Sequence, residues 1–311
     1  LVSGGARHDA ESCLKWLKNM AEDQKLKELK ALLSLLDEPD PEVFERIRSR
    51  VQAYGTDAVT LLEAKWEESF DPFLQDRIED IIHSIQLDDL YAAICSWAQL
   101  GSDDLLKGFI LAARYQYPDL DTEKIFKEVG ALVQDVWLEL NDRLTALEKI
   151  KVVNHILFDV HKFRGNKSNI RSPENLYLNT LLESRKGNPL SIGILYMIIA
   201  NSLKMPVYGV DLPNHFVLVY MDLKGSSDAP ATGNPLFYIN PFNRGALFTH
   251  HEIEVYLRQI KLPPDEVYYR PCNNITIIRR LFEELISLHA GQGNRERAEE
   301  LKKLASALSV D

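Results

Sequence analysis

The chain has 311 residues, with 36 Lys and Arg against 46 Asp and Glu, for a formal net charge of −10. Hydrophobic residues make up 45% and charged residues 26%, a globular profile with material for a sizeable core and about two ordinary domains. The acidic balance argues against broad binding to nucleic acid and against an anionic membrane surface, and no apolar run is long enough to span a bilayer.

The first part of the chain reads as helix almost throughout. In "ESCLKWLKNMAEDQKLKELKALLSLL" apolar residues recur at three- and four-residue spacing through Leu14, Leu17, Leu26, Leu29, Leu33 and Leu36. Asp40 then caps a second helix, "EVFERIRSRVQAYG", with Pro41 in its first turn. "TDAVTLLEAKWEESF", "DPFLQDRIEDIIHSIQ", "LDDLYAAICSWAQLG" and "SDDLLKGFILAARYQYP" follow as short helices joined by Asp, Pro and Gly turns. This is the organisation of stacked helical hairpins, either HEAT-like or an irregular bundle.

Two more amphipathic helices, "DTEKIFKEVGALVQDVWLELND" and "RLTALEKIKVVNHILFDVHKF", lead into a polar, turn-rich loop, "RGNKSNIRSPEN". "LYLNTLLESRKG" is a further helix. In "GNPLSIGILYMIIA", Pro189 takes the first helical position and the rest is apolar on all sides, which predicts a central buried helix. The strand material follows: "MPVYGVDL", "HFVLVYMDL" and, after the flexible connector "KGSSDAPATGNP", "LFYINPF". These predict a small antiparallel sheet packed on the central helix. "FTHHEIEVYLRQI" returns to helix. "CNNITIIRRLFEELISLHAGQGN" and "RERAEELKKLASALS" form a terminal hairpin shaped like one tetratricopeptide unit. The expected fold class is α+β, mostly α. It comprises a helical array over 1–120, a helix-and-sheet domain over 121–270 and a helical hairpin over 271–311.

Several sites are excluded by sequence. There is no phosphate-binding glycine loop of the Walker type, no GxGxxG after a strand and no HExxH, so neither a cofactor nor a metal is expected. His250 and His251 are adjacent and diverge on a helix, whereas His155 and Asp159 share a face. Lys162, Arg164, Lys167 and Arg171 make a local positive loop, expected to be solvated, with an anionic partner or a salt-bridge network as the alternative. Cys13, Cys95 and Cys272 are far apart and form no CxxC pair, as expected of structural thiols in a reducing cytoplasm. The opening "LVSGGARHDAES" shows no secretory signal.

One constellation remains. The central helix begins at Asn188–Pro189, His215 opens a strand, and Asn240 ends the next. A helix N-terminus, a histidine and a polar third residue, in that order, are the arrangement of a papain-like or transglutaminase-like triad. The helix end favours an anionic nucleophile, the histidine takes its proton and the third residue fixes the imidazole.

At these residues the sequence resembles the SirB-type transglutaminase-like family, found mainly in bacteria, with a related domain in some F-box proteins. The resemblance covers about Phe163 to Leu257 and rests on "ENLYLNTLLESRKGNP", "LPNHF" and "NPFNRG" in order. It implies a transglutaminase/cysteine-protease core and places the nucleophilic cysteine of catalytic relatives near Pro189. His215 matches the histidine, and Asn240 stands where the family usually carries Asp. No cysteine lies in this segment, which follows the habit of the family. The expectation is a non-catalytic module that binds a protein or peptide partner. The alternative is a hydrolase or acyl-transfer enzyme with Ser191, His215 and Asn240 as an atypical triad.

Overall fold

The computed structural model of the chain describes residue 20, residues 22–222 and residues 233–309. Contacts divide the chain after Asp89 into two compact units. Among the described residues no helix is long and apolar enough to cross a membrane. Cys13 and most of the connector before the third predicted strand lie outside the described residues.

In the first unit, helix α1 is described from 22 to 33. It is followed by α2 (Pro41–Gln52), α3 (Val59–Glu68) and the start of α4 (Pro72–Leu100). The Asp40 carboxylate accepts from the Glu42 and Val43 amides, and Pro41 follows it where a missing N–H costs nothing. Leu33, Leu36, Val51, Leu62, Ile78 and Ile81 meet in the core. The Arg77 guanidinium lies over the rings of Phe44 and Phe73, at 3.8 and 4.3 Å. It also donates to the Leu36 and Glu38 carbonyls, at 2.9 and 2.7 Å, which serves backbone groups past the end of α1.

The sequence suggests a break between "IIHSIQ" and "LDDLYAA", but α4 runs through it for 29 residues. Asp88 and Asp89 resemble a new cap, yet no glycine or proline stands there to stop the helix. Residues 90–120, read from sequence with the helical array, lie in the second unit. The reason is α5 (Leu105–Arg114), which is buried along most of its length and packs on α9 and α11, defined below.

In the second unit, α6 (Thr122–Glu139) and α7 (Ala146–Asn154) lead into a π-helical turn over His155–Val160. Next come β1 (Arg164–Gly165), a 3₁₀ turn (Pro173–Leu176), α8 (Leu178–Ser184), β2 (Lys186–Gly187) and α9 (Pro189–Ser202). The sheet strands are β3 (Val207–Leu212), β4 (His215–Asp222), β5 (Asn234–Asn240) and β6 (Ala246–Phe248). Helices α10 (His250–Gln259), α11 (Asn274–Gly291) and α12 (Arg295–Ser306) complete the unit.

The sheet order is β3-β4-β5-β6, and each neighbouring pair is antiparallel. The sequence reading has three strands; β6 is an addition, as is a two-residue parallel ladder between β1 and β2. Both are too short to show a period-two pattern. The β3–β4 hairpin turns on Pro213–Asn214, with Asn214 at φ 60°. A proline followed by a residue that tolerates the left-handed region is what a type II turn demands.

Helix α9 is the centre of the unit and is buried from Leu190 to Ala200. One face of the sheet lies against it. Strand alternation sends Phe216 toward the helix, where a Cβ on Gly193 would come within 2.8 Å of its ring and a Cβ on Gly209 within 2.6 Å. These two glycines, one on α9 and one on β3, make the slot for the ring. On the other face Val210, Val217, Val219 and Tyr238 pack with Ile253 and Leu257 of α10. The terminal hairpin is tied to α5 by the Tyr115 hydroxyl, which donates to Glu300 at 2.8 Å.

Two outcomes follow from this packing. Gly193→Ala should push against Phe216 and cost about 1–3 kcal/mol in urea unfolding, with Phe216→Leu relieving part of the loss in the double variant. The second concerns His289 on α11, which is 3% exposed with neither ring nitrogen partnered among the described residues. Burial pushes its pKa below 6.5; Arg297 adds to the shift and Glu174 opposes it. The folded protein holds the ring neutral to lower pH than the unfolded chain, which takes up a proton near 6.5. Its contribution is therefore complete above that pH and is lost as the pH falls through it. Unfolding midpoints at pH 7.5 and 5.5 should differ less in His289→Leu than in the wild type.

Candidate functional site

The N-terminus of α9 is held by a network of buried amides. Asn188 accepts from the Ser191 N–H at 2.8 Å, and the Ser191 hydroxyl oxygen accepts from the Asn188 N–H at 3.1 Å, a reciprocal cap. The Ser191 hydroxyl donates to the Asn175 carbonyl at 2.6 Å. The Asn175 side chain donates to the Asn169 carbonyl at 2.6 Å and accepts from the Asn166 amide at 2.8 Å. The polar loop 166–175 is thereby fastened to the helix. The β1–β2 ladder fastens it again, since Asn166 N–H donates to the Gly187 carbonyl at 2.9 Å.

A cleft of about 990 Å³ opens beside this helix end. It crosses the end of the sheet at Leu212, His215 and Asn240, and it runs along β6 at Ala246, Leu247 and Phe248. Arg280, Glu284, Ser287 and Leu288 line it from α11; positions spaced by three and four form one helical face. Glu252, Ile253 and Tyr256 line it from α10, and Ile170 and Arg171 from the loop. The wall is mainly apolar with a few placed polar groups, as is usual for ligand sites.

Its charges are mostly matched. Arg280, nearly buried, pairs with Asp211 on β3 and donates to the Leu212 carbonyl at 3.0 Å and to Glu284 at 3.3 Å. Glu284 also accepts from the Asn188 side-chain amide at 2.7 Å, which joins α11 to the cap of α9. Charge-assisted contacts of this kind are stronger than neutral ones, so the wall is fixed in place.

The predicted site residues divide here. Pro189, His215 and Asn240 all line the cleft. Ser191 is fully buried and does not, with its hydroxyl proton directed at a backbone carbonyl. His215 is exposed at the start of β4, and the Tyr256 ring stands edge-on to it at 5.0 Å. The Tyr256 hydroxyl donates to the Pro213 carbonyl at 2.6 Å, and burial raises its pKa although a hydrogen bond to Asn214 opposes the rise. The Asn240 side-chain oxygen accepts from the Asn243 N–H at 3.1 Å, so it caps the turn Pro241–Asn243. That turn is held further by ion pairing of Arg244 with Asp159, which also meets His155 at 3.3 Å.

Cys272 is not among the cleft-lining residues; its thiol faces the Gly209 carbonyl at 3.2 Å, and burial pushes its pKa up to about 12. His250 and His251 both approach Glu254, at 3.5 Å each. Among the described residues no group of three His, Cys, Asp or Glu side chains comes together to hold a metal ion. Of the basic loop residues, Arg171 alone borders the cleft. Sequence reasoning missed Arg280 and Glu284, which it placed in a separate tail. Their four-residue spacing on an amphipathic helix was the available signal, but it did not say which element they faced.

A central helix whose N-terminus meets the end of a small antiparallel sheet is the core shared by transglutaminases and papain-like cysteine proteases. A family model described as the transglutaminase-like superfamily matches residues 123–283, just over half of the chain. A UPF0162 protein of Xylella fastidiosa is 28% identical over 213 residues, covering 65% of this chain and 72% of that protein. Protein SirB1 of Salmonella typhimurium is 27% identical over 186 residues, covering 59% of this chain and 65% of that protein. F-box only protein 21 of Mus musculus is 29% identical over 144 residues, 46% of this chain and 22% of that protein. No solved structure matches the chain. The chain thus belongs to the transglutaminase-like superfamily and is of the SirB type.

The hydrogen bonds of Ser191 set a stability test. Ser191→Ala removes the hydroxyl that bridges the Asn188 N–H and the Asn175 carbonyl, leaving them only their own longer hydrogen bond at 3.4 Å, and should cost about 1 kcal/mol in denaturant unfolding. A hydroxyl working only as a nucleophile would be removed at little cost.

Proposed function

We propose that this protein works by holding a peptide or protein segment in its cleft, without covalent catalysis. The carrying observation is Pro189. It borders the cleft at the start of α9, where the family resemblance locates the cysteine of catalytic relatives. Proline supplies no nucleophile, and having no N–H it offers nothing to a developing oxyanion. The seryl alternative has less support, because the Ser191 hydroxyl is buried in the cap and its proton is engaged. A serine nucleophile needs an aligned base, and His215 borders a cavity that Ser191 does not line. A large, mostly apolar cleft with fixed polar groups is suited to binding a chain segment. Cys95 and Cys272 are free thiols, which suits work in a reducing cytoplasm.

The test is a panel of thiol- and serine-directed activity probes with peptide substrates, applied to the wild type and to His215→Ala. Neither protein should be labelled or turn over substrate. Labelling or turnover that disappears in His215→Ala would establish the enzyme reading instead. In a peptide-binding screen, Leu247→Asp in the cleft wall should weaken binding at least tenfold.

A further inference from the structure

The cleft has an unmatched charge and an unmatched strand edge. Both of its lining carboxylates are occupied. Glu252 accepts from the Thr249 N–H and hydroxyl, at 2.7 and 3.1 Å, and Glu284 accepts from Asn188 and Arg280. Arg280 is itself paired with Asp211 and Glu284. Arg171 is exposed at the cleft, with no ion-pair or hydrogen-bond partner among the described residues. The free charge facing a ligand is therefore positive, on a chain whose net charge is −10.

The edge is β6. It pairs with β5 on one side and with no strand on the other among the described residues. Successive residues of a strand point to opposite faces, yet Ala246, Leu247 and Phe248 all border the cleft. The cavity thus borders every residue of the sheet's end strand, whose outer main-chain groups no strand takes up among the described residues. The three residues carry no charge and no proline, two of the devices that keep strand edges from pairing.

We propose that the cleft takes an extended peptide segment that pairs along β6 and presents a carboxylate to Arg171 beside an apolar side chain. The apolar side chain would rest against Phe242, Leu247, Phe248 and Ile253. Main-chain pairing supplies sequence-tolerant affinity, while the pocket and the guanidinium select the side chains. The inference rests on the binding reading above. The carboxylate comes either from Asp or Glu within the segment or from a chain terminus.

The test uses the full chain with a positional-scanning library of fluorescent octapeptides, each made with a free and an amidated C-terminus and read by anisotropy. Peptides with Asp or Glu at one position should bind at least tenfold tighter than their Lys counterparts. Arg171→Gln should remove that preference and Arg171→Glu should reverse it. Methylating backbone nitrogens should weaken binding at alternate positions only. A preference confined to free-acid peptides assigns the carboxylate to a chain terminus; one kept by amidated peptides assigns it to a side chain. Peptide binding that is lost in Leu247→Asp, yet shows no acid preference or keeps it in Arg171→Glu, overturns this inference and leaves the binding reading standing. Absence of any peptide binding overturns both.

Discussion

Helix α9 is surrounded by protein from Leu190 to Ala200, so its first-turn amides must be satisfied from within the fold. Each buried group left unpaired would cost about 1–3 kcal/mol. Pro189 removes one donor, Asn188 takes the Ser191 N–H, and Ser191 returns a bond to Asn188. That arrangement needs Asn188 in place, and Glu284 of α11 holds its side chain. It also needs the Ser191 hydroxyl aimed at Asn175, which brings in the loop 166–175. A single demand at one helix end thus recruits a distant helix and a polar loop, and together they frame the cleft.

The same demand separates two roles that one residue cannot fill at once. A nucleophile at a helix N-terminus must leave its reactive atom facing substrate, with the amides behind it free to stabilise charge. In this protein the first turn is spent on its own closure. Ser191 lies inward among hydrogen bonds, and a proline ring borders the cavity. The cleft persists because the packing of α9, the sheet and α11 keeps it open, whatever chemistry it hosts. Phe216, seated between Gly193 and Gly209, shows how tightly the sheet is set on the helix.

Much of this was legible in sequence. A helix apolar on all sides, bounded by Gly187, Asn188 and Pro189, could only be a central one, and the strands after it are dense in Val, Tyr and Phe. The order of those elements singled out Pro189, His215 and Asn240, and all three line the one cleft. The local patterns that failed were short or ambiguous. Strand β6 has three residues and β1 and β2 have two each, too few for a period. Asp88 and Asp89 imitated a helix start inside α4. The hardest features were tertiary. Asn166, Asn175 and Asn188 are ordinary turn residues in sequence, and only the folded chain makes them one network. Arg171 looked like one of four solvated cations, and three of the four do not reach the cavity.

Helix α11 serves two masters, packing against α5 and α12 while lining the cleft with Arg280, Glu284, Ser287 and Leu288. The stretch recognised by family similarity stops at residue 283, in the middle of this helix and just short of three of those four side chains. A fragment cut at that border would carry the ancestral signature and yet expose the cap of α9 to solvent, with an open trough where the cleft had been. The smallest piece that keeps the cavity whole is accordingly longer than the piece that inheritance marks out. Its far limit is set by the tail that keeps α11 folded against the rest.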